Sequence, residues 1–513
     1  MSENPELPNL PTDAAAKPSE PATPTDTTPT DTAHADTART DAARTETPQR
    51  RRALAGARIV TGVVGVAVAA AAIAGAVMLP LPGIQTTPPV QTITPVSSEQ
   101  QRVCAGPLLR LGTEMGQDAS QPSSLGEPTV QAGGELASAP IGQSDAAGSG
   151  PTLLTAPAGT PAAEVSAAQS QSLADGDLGG FAASDCTEPS NDSWLVGGSN
   201  AVGRTSILIL TNPSELSATV DLSLYGATGP VTAPGTTGLV VPAGSQRVLP
   251  LAGFMPAEET PVVRVQSRGG AIAATLQQTT VRGLEAGGVD VVGATTAPDD
   301  TVVIPGLVVS GLSALQQNIA REGFADLQNV LRVLVPGDEP ATLQVGVMSD
   351  AGDPTGASFE VQLTPGTVAD LPIDVQADGS YTLTIDSTVP VVAGMRVSTA
   401  SDSAFDFAWH AAAPEITGDL QVSVADGAGA QLYLHNPTAT AVDVELAALG
   451  GEGRVINVAP GASAVVPLSA AGSFGLGDTA GLRAAIGYAS DGALASYPVR
   501  PPHAAEAPVT VYP

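Results

Sequence analysis

The sequence predicts an all-β ectodomain of tandem immunoglobulin-like β-sandwiches, preceded by one transmembrane α-helix and a disordered N-terminal tail. Three features predict this fold class: an uncharged apolar run near the N-terminus, short alternating strands separated by turn residues, and a repeated strand–turn pattern. The pattern recurs roughly every 100–125 residues. Propeller blades and solenoid repeats usually have about 20–50 residues, so antiparallel sandwiches fit the period better.

The N-terminal segment, residues 1–49, is rich in Thr, Pro, Asp and Ala and has almost no large apolar side chain. Such a composition cannot bury enough apolar surface to offset the conformational entropy lost on ordering. We therefore expect a disordered cytoplasmic tail.

Residues 50–82 contain a basic flank and a predicted transmembrane helix. The run IVTGVVGVAVAAAAIAGAVMLPL at 59–81 carries no charge, and a helix rising about 1.5 Å per residue would span a hydrocarbon core of about 30 Å. No Lys or Arg follows the run until Arg102. By the positive-inside rule the N-terminus is cytoplasmic and residues 83–513 are extracytoplasmic. The arginines that set this orientation precede the run: Arg50, Arg51, Arg52 and Arg58.

A cleaved signal peptide is the alternative interpretation of the apolar run. Signal peptides usually have an apolar region of about 7–15 residues behind a short basic region. Here the run is longer and more than fifty residues precede it. This favours an uncleaved single-pass anchor in the cell membrane.

The formal net charge is −31, and almost all of it lies after Arg58. A field of this sign repels nucleic acid and anionic lipid headgroups. The charge therefore argues against nucleic-acid binding and is favourable to solubility outside the membrane.

The chain has two cysteines, Cys104 and Cys186, both in the predicted external portion. Two thiols in an oxidising compartment predict one disulfide. It would close a loop across 82 positions and stabilise the fold by about 4 kcal/mol on the chain-entropy estimate. A pair of unbonded thiols is the alternative.

Residues 83–102 are a predicted Pro- and Thr-rich stalk, and β-type patterns begin after it. Short runs of Val, Ile, Leu and Thr alternate with small or polar residues and end at Gly, Pro, Asp or Ser. Residues 313–334 are the one external helix candidate, and their second half passes into a strand. Four sandwiches are predicted, a degenerate one with a Gly/Ser-rich loop at 103–200, then 201–300, 301–412 and 413–513.

The repeat is clearest where SILILTNPSELSATVDLSLYG at 206–226 is matched by QLYLHNPTATAVDVELAAL at 431–449. A binding motif would have to keep its side chains, whereas a corner needs only turn-forming residues. The middle copy changes the turn dipeptide, which favours a structural corner. The turn residues are Asn212-Pro213, Pro336-Gly337 and Asn436-Pro437.

Residue patterns typical of enzymes and metal sites are missing from the sequence. His410, His435 and His503 are far apart, and no His-Glu-x-x-His, Cys-x-x-Cys or Gly-x-Ser-x-Gly pattern occurs. A lone turn histidine such as His435 is expected at the surface. We expect no cofactor, no metal and no enzymatic activity. A hydrolase with carboxylates from distant strands stays an alternative, because such a pair has no local signature.

Aromatic residues are scarce, at 3%, and three of them occur in AFDFAWHAA at 404–412. Strand alternation places Phe405, Phe407 and Trp409 on one face. The two interpretations are the core face of a sandwich and a platform for a glycan or protein partner. Trp194 invites the same comparison, and we expect it in a core near the predicted disulfide.

One group of residues is similar to a known family. The matching residues are Cys186, the run Trp194–Gly198, Gly203-Arg204, Asn212-Pro213, Tyr225-Gly226 and VVPAGSQRVLPL at 240–251. They resemble an uncharacterised actinobacterial family of membrane-anchored envelope proteins, domain-of-unknown-function family 5719. The similarity runs from about residue 100 to the C-terminus and is most specific at 180–280. It implies a cell-envelope setting and members encoded near a large glycosyltransferase, and it implies no catalytic residues.

These features together predict a non-enzymatic, single-pass, membrane-anchored scaffold or adaptor in actinobacterial cell-envelope assembly. The expected partner is an envelope protein, with a membrane glycosyltransferase as one candidate. A cell-wall glycan-binding protein is the first alternative, and an envelope hydrolase with dispersed carboxylates is the second.

Overall fold

The structure is a computed structural model that describes residues 64–71, 91–93, 99–111, 121–352, 357–401, 404–502 and 509–511. The chain divides into two compact units, residues 1–87 and 88–513. Nearly all regular structure of the second unit is β-strand, so the all-β prediction is confirmed.

The predicted membrane segment falls largely outside the described residues. Residues 64–71 are helical, and no helix in the described part of the chain is long and apolar enough to span a membrane. The tail 1–49, the four arginines before the apolar run and most of 59–81 lie outside that part. The membrane anchor and its orientation therefore stay predictions.

The chain between residues 91 and 185 contains ten short strands. They are β1 (Gln91–Ile93), β2 (Gln101–Val103), β3 (Leu108–Leu111), β4 (Pro122–Leu125), β5 (Thr129–Gly133), β6 (Ala137–Pro140), β7 (Gly142–Gln143), β8 (Thr152–Thr155), β9 (Ser166–Asp175) and β10 (Leu178–Asp185). Eight of them form small sheets in the orders β2-β8-β6, β10-β9-β5 and β3-β4, whereas β1 and β7 pair with strands later in the chain. Strands β9 and β10 pair with each other as an antiparallel hairpin.

The first copy of the repeat forms two facing antiparallel sheets. Its strands are β11 (Asp192–Val196), β12 (Arg204–Asn212), β13 (Ala218–Gly226), β14 (Gly229–Val231), β15 (Leu239–Val241), β16 (Ser245–Pro250), β17 (Val262–Arg268), β18 (Ala273–Arg282) and β19 (Glu285–Val292). One sheet has the order β11-β17-β13-β14 with β15 beside β13, and the other has β19-β18-β12-β16-β7. Alternate side chains of these strands, such as Leu208, Leu210, Val220 and Leu276, form a shared core.

The second copy contains one very long strand. Its strands are β20 (Asp299–Val309), β21 (Val330–Leu334), β22 (Ala341–Ser349), β23 (Ala357–Leu363), β24 (Val368–Pro372), β25 (Gly379–Ala400) and β26 (Phe405–Ala411). The first half of β25 pairs with β20 and β22, and its second half pairs with β21 and β26. The predicted helix candidate 313–334 is a helix at Leu312–Asn318, a 3-10 turn at Ala325–Leu327 and then strand β21, so its predicted change of structure is confirmed.

The third copy forms two four-stranded sheets. Its strands are β27 (Leu420–Val424), β28 (Ala430–His435), β29 (Val442–Ala448), β30 (Gly453–Val458), β31 (Ser463–Pro467), β32 (Gly472–Gly477), β33 (Arg483–Ser490) and β34 (Ala493–Pro498), followed by β35 (Val509–Val511). The sheet orders are β27-β32-β29-β30 and β31-β28-β33-β34. Strand β35 pairs with β1.

All three copies have the same strand order. The first sheets correspond as β11-β17-β13-β15, β20-β25-β22-β23 and β27-β32-β29-β30. The second sheets correspond as β19-β18-β12-β16, β26-β25-β21-β24 and β34-β33-β28-β31. The weak sequence repeat therefore corresponds to one repeated topology, in which β25 occupies two positions as a continuous strand.

The final strands of these copies meet β10 at a central junction, defined as β10, β19, β26 and β34. Strands β10 and β26 each contact both β19 and β34. At the junction the fully buried carboxylate of Asp406 accepts backbone N–H bonds from Phe181 at 2.9 Å, Val289 at 3.2 Å and Leu494 at 3.2 Å. Burial raises the pKa of Asp406 well above its usual value, and these N–H donors oppose that rise. One side chain on β26 thus bonds to the other three strands.

The corner asparagines tie the end of a strand in one sheet to a strand of the facing sheet. In the third copy, Asn436 is fully buried, and its Nδ2 donates to Thr440 O at 2.8 Å and to Val458 O at 2.9 Å. Its Oδ1 accepts from Thr438 N at 3.0 Å. Asn212 makes the corresponding bonds in the first copy. Both side chains satisfy backbone groups of the corner, which supports the structural interpretation of the motif.

We expect Asn436→Ala to lower the free energy of unfolding by about 1–3 kcal/mol, because it removes the side chain that pairs the buried carbonyl of Val458 and the half-buried N–H of Thr438. Denaturant unfolding of the purified protein measures the change. Asn457→Ala is the matched control, since Asn457 is exposed and its side chain bonds to the side chain of Asp443 at the surface. A loss at Asn436 no larger than at Asn457 would contradict this role of the corner asparagine.

Candidate functional site

A cavity of about 660 Å³ lies where the β9–β10 hairpin, β11, β27 and the segment after β34 meet. Its volume is within the range of about 300–1,000 Å³ that is usual for ligand sites, and such sites are frequent between packed modules. Much of its wall is apolar and comes from the ends of two sandwich cores. The apolar lining includes Ala162, Val165, Ile272, Ala274, Leu420, Val422, Ile486 and Val499.

The charged residues of the cavity wall form three arginine–carboxylate pairs. Arg102 NH1 lies 3.7 Å from Glu188 Oε2, Arg264 Nε donates to Asp192 Oδ1 at 2.9 Å, and Arg500 Nε lies 3.3 Å from Asp185 Oδ2. The lining thus has three positive and three negative groups. This balance contrasts with the net charge of −31 for the whole chain.

Burial raises the pKa of one of these charged groups and lowers the pKa of another. Desolvation raises the pKa of the Asp185 carboxyl, and the Arg500 guanidinium opposes this rise. Desolvation also lowers the pKa of Arg102, and Glu188 and then Asp185 oppose the fall. Each charged group in the wall therefore lies beside a group of opposite charge. The site is thus a binding surface with positive and negative groups at fixed positions.

Several polar atoms of lining residues have no hydrogen-bond partner within the described residues. They are Asp185 Oδ1, Thr187 Oγ1 and Thr296 Oγ1, together with Arg500 Nε, which makes an ion pair with Asp185 but no hydrogen bond. Buried polar atoms in proteins are almost always paired, if need be with water or a ligand. Unpaired polar atoms in the wall of a cavity of this size are a feature of a site that binds a polar ligand.

No group of three or more His, Cys, Asp or Glu side chains in the described part of the chain is arranged to hold a metal ion. The carboxylates of the cavity wall each face an arginine instead of another carboxylate. The arrangement is suited to hydrogen bonding and charge complementarity with a ligand.

Comparison with protein families identifies the chain. The model of the "Family of unknown function (DUF5719)" matches residues 141–428, more than half of the 513 residues. The protein belongs to the DUF5719 family. The resemblance seen in the sequence is therefore confirmed, while the family description itself assigns no activity.

Other comparisons add little to the DUF5719 assignment. No curated protein matches this DUF5719 member. Among solved structures, "Crystal Structure of Thermotoga maritima 1070" is similar at 16% identity over 23% of this chain and 95% of that chain, with a TM-score of 0.19. A TM-score of this size carries no inference about fold or function.

The two cysteines of this DUF5719 member, Cys104 and Cys186, form a disulfide. Both are buried, in a small cluster with Leu154 and Ala167, and Cys186 also lines the cavity. The bond thus fixes one wall of the candidate site.

The aromatic stretch on β26 is not an open platform. Phe407 and Trp409 are 2% and 1% exposed and pack in the core of the first copy. Trp409 Nε1 donates to Gln278 Oε1 at 2.8 Å. Phe405 is half-buried and makes an edge contact with Phe324, with ring centroids 5.5 Å apart. The platform interpretation is therefore corrected for Phe407 and Trp409, because the junction buries the strand that carries them.

Trp194 is buried, as expected, but it also borders the cavity. Its ring stacks on Tyr225 at 6.0 Å, and the Arg264 guanidinium lies 5.0 Å from its centroid. Trp194 thus holds Arg264 in place at the rim.

The expectation of a surface position for His435 is wrong. His435 is 2% exposed, and its Nδ1 lies 3.1 Å from Ser463 Oγ. Burial and then the nearby Arg483 lower the pKa of His435 to about 4. His410 is also buried, and burial lowers its pKa to about 3. His503 lies outside the described residues.

Sequence reasoning missed the charged wall of the cavity, although one signal was available. Arg102 lies two positions before Cys104, and Asp185 lies directly before Cys186. The predicted disulfide therefore already implied that Arg102 and Asp185 are neighbours. Nothing in the sequence pattern linked Arg500 to them, because it follows the last sandwich strand.

Proposed function

We propose that this DUF5719 member is a non-enzymatic, single-pass membrane-anchored protein of the actinobacterial cell envelope, with residues 83–513 extracytoplasmic. In this proposal its sandwiches are immunoglobulin-like, and it serves as a scaffold or adaptor in envelope assembly. The partner is another envelope protein, with a membrane glycosyltransferase as the first candidate.

The central junction is the observation that supports this proposal. Asp406 bonds to strands from three other parts of the chain, so the sandwiches contact one another through their inner strands instead of being connected by linkers alone. A rigid body of this kind holds its binding surfaces at fixed spacing, which is what a scaffold requires. Each carboxylate of the cavity wall is paired with an arginine, which supports a binding role more than acid–base catalysis.

A cell-wall glycan is the alternative ligand, and Trp194 is the observation that favours it. An indole in a cavity wall can pack against the apolar face of a sugar ring, and the neighbouring hydroxyls can bond to sugar hydroxyls. Trp194 is only 4% exposed and is already stacked on Tyr225, however, which leaves little of its face for a sugar.

In-cell crosslinking of the full-length protein tests the scaffold proposal. Lys17 is the only lysine, so amine-reactive reagents cannot report on the external portion, and a carboxylate-reactive crosslinker is required. We expect crosslinks from Asp and Glu residues of 83–513 to another envelope protein. Recovery of none, with crosslinks inside the chain still formed, would contradict an adaptor role.

Protease shaving of intact cells tests the orientation. We expect the portion 83–513 to be removed while the tail 1–49 stays protected. Full protection of the external portion would reverse the proposed topology.

A further inference from the structure

We propose that the cavity binds an extended polypeptide segment of a partner, which adds as a strand to the open edge of β27. The inference rests on the proposed function, for which it names the docking site. The observation behind it is that the third copy of the repeat differs from the first two at the free edge of its first strand.

In the first two copies the chain closes the free edge of the first strand itself. Strand β11 accepts a bond at Trp194 O from Thr295 N, at 2.7 Å, and Thr295 follows the last strand of that copy. Strand β20 accepts a bond at Val303 O from Ala413 N, at 2.9 Å, and Ala413 again follows the last strand. Each of these two copies thus uses its own continuation to bond one backbone carbonyl on this edge.

The third copy does not follow this pattern within the described residues. Val499 follows its last strand, and the N–H of Val499 donates to Ala484 O on β33 instead of to β27. Strand β27 pairs only with β32 and is the edge of its sheet. Residues Leu420–Ser423 of this edge strand line the cavity.

The register shows which backbone groups of β27 face the cavity side. Leu449 N donates to Ser473 O, so odd-numbered residues of β32 bond to β29 and even-numbered ones face β27. Leu420, Val422 and Val424 pair with those even-numbered residues. The backbone groups of Gln421 and Ser423 therefore point away from β32.

Tyr497 occupies one end of this free edge. Its Oη donates to Ser423 O at 2.9 Å and accepts from Ala425 N at 3.4 Å. Beyond it, the N–H of Ser423 and both the N–H and C=O of Gln421 have no partner among the described residues. An edge strand with unpaired groups is a template for another strand.

The cavity beside this edge fits a polypeptide better than the other ligand classes. Its wall combines small apolar residues with three balanced arginine–carboxylate pairs, so it meets backbone dipoles and side chains of either sign without net repulsion. A glycan would need an exposed aromatic face, and both aromatic residues of the wall, Trp194 and Tyr497, are buried. We infer a segment without Pro at the paired positions and with a small apolar side chain turned to Leu420 and Val422.

The test uses the full-length protein in detergent and a phage-displayed library of random linear peptides. We expect selected peptides to slow amide hydrogen exchange at Gln421 and Ser423. Gln421→Pro removes the unpaired N–H without touching the β32 ladder, and it should weaken binding about tenfold, as expected for one lost hydrogen bond. Val455→Pro is the matched control, because it removes an N–H from β30, at the opposite edge of the same sheet, and should bind as the wild type does.

Four results would overturn the inference: no enriched peptide, equal binding by Gln421→Pro, slow exchange at Gln421 before peptide is added, or competition only by cell-wall saccharide. The exchange measurement on the wild type keeps the test valid if Gln421→Pro fails to fold. If in-cell crosslinking recovers an envelope partner attached far from β27, this inference fails while the adaptor function stands. If no partner is recovered but peptides bind at β27, the adaptor function fails alone.

Discussion

Replacing Asp406 by alanine should lower the free energy of unfolding by about 4 kcal/mol or more. Asp406 is fully buried, and its two carboxylate oxygens accept N–H bonds from Phe181, Val289 and Leu494. The substitution leaves three buried donors without an acceptor, each at a cost of about 1–3 kcal/mol. These donors belong to three different strands, so the loss also removes bonds between parts of the chain that are far apart in the sequence.

Denaturant unfolding followed by tryptophan fluorescence measures this effect, because Trp409 lies on the same strand as Asp406 and is buried. Asp406→Asn should be intermediate, since one oxygen still accepts while the new NH₂ group faces backbone donors. Asp386→Ala is the matched control at an exposed position of β25 and should change stability by no more than about 0.5 kcal/mol. Equal stability of the Asp406→Ala and Asp386→Ala proteins would show that the junction is held by other contacts.

The local features of the fold were predictable, because each rests on neighbouring residues. The alternation of apolar and polar residues in Ala218–Gly226 is visible in the sequence, and every second side chain of this strand is buried. The turn dipeptides mark the corners, and two cysteines in an oxidising compartment allow one bond. The tie that Asn436 makes between facing sheets was not predicted as such, but its Asn-Pro signature was found.

The junction and the cavity could not be predicted, because they join residues far apart in the chain. Asp406 bonds to Phe181, 225 positions away, and no periodicity links them. For Phe407 and Trp409 the sequence leaves a core face and an open platform as alternatives, and the structure shows that both pack in the core of the neighbouring copy. The residues that line the cavity together with β27, such as Trp194, are likewise far from β27 in the sequence. Only the structure therefore reveals that the third copy leaves this edge unpaired.

The contribution of Asp290 to the free energy of unfolding should fall as pH rises from about 4 to about 7, in the direction opposite to the contributions of the buried His410 and His435. Asp290 is fully buried in β19, and its Oδ2 accepts from Trp409 N at 2.6 Å. Its Oδ1 has no partner within the described residues. Desolvation raises the pKa of Asp290 to about 7, and the bond from Trp409 N opposes the rise.

The sign follows from proton binding in the two states. Between pH 4 and 7 the folded protein keeps the Asp290 proton while the unfolded chain has lost it, so raising the pH favours unfolding. The slope is at most about 1.4 kcal/mol per pH unit, or about 4 kcal/mol over the window, and it levels off above pH 7. Asp290→Asn carries no titrating proton, so its unfolding free energy should lack this component.

The difference between wild-type and Asp290→Asn unfolding free energies, measured from pH 4.5 to 8, isolates the contribution of Asp290. Other carboxylates of this acidic chain titrate in both proteins and cancel. Val291→Ala is the control, because truncating this buried neighbour lowers stability at every pH without changing the slope. A difference that stays constant across the range would mean that Asp290 is ionised throughout. The junction would then hold a buried negative charge, stabilised by the backbone N–H groups of Trp409 and Val291.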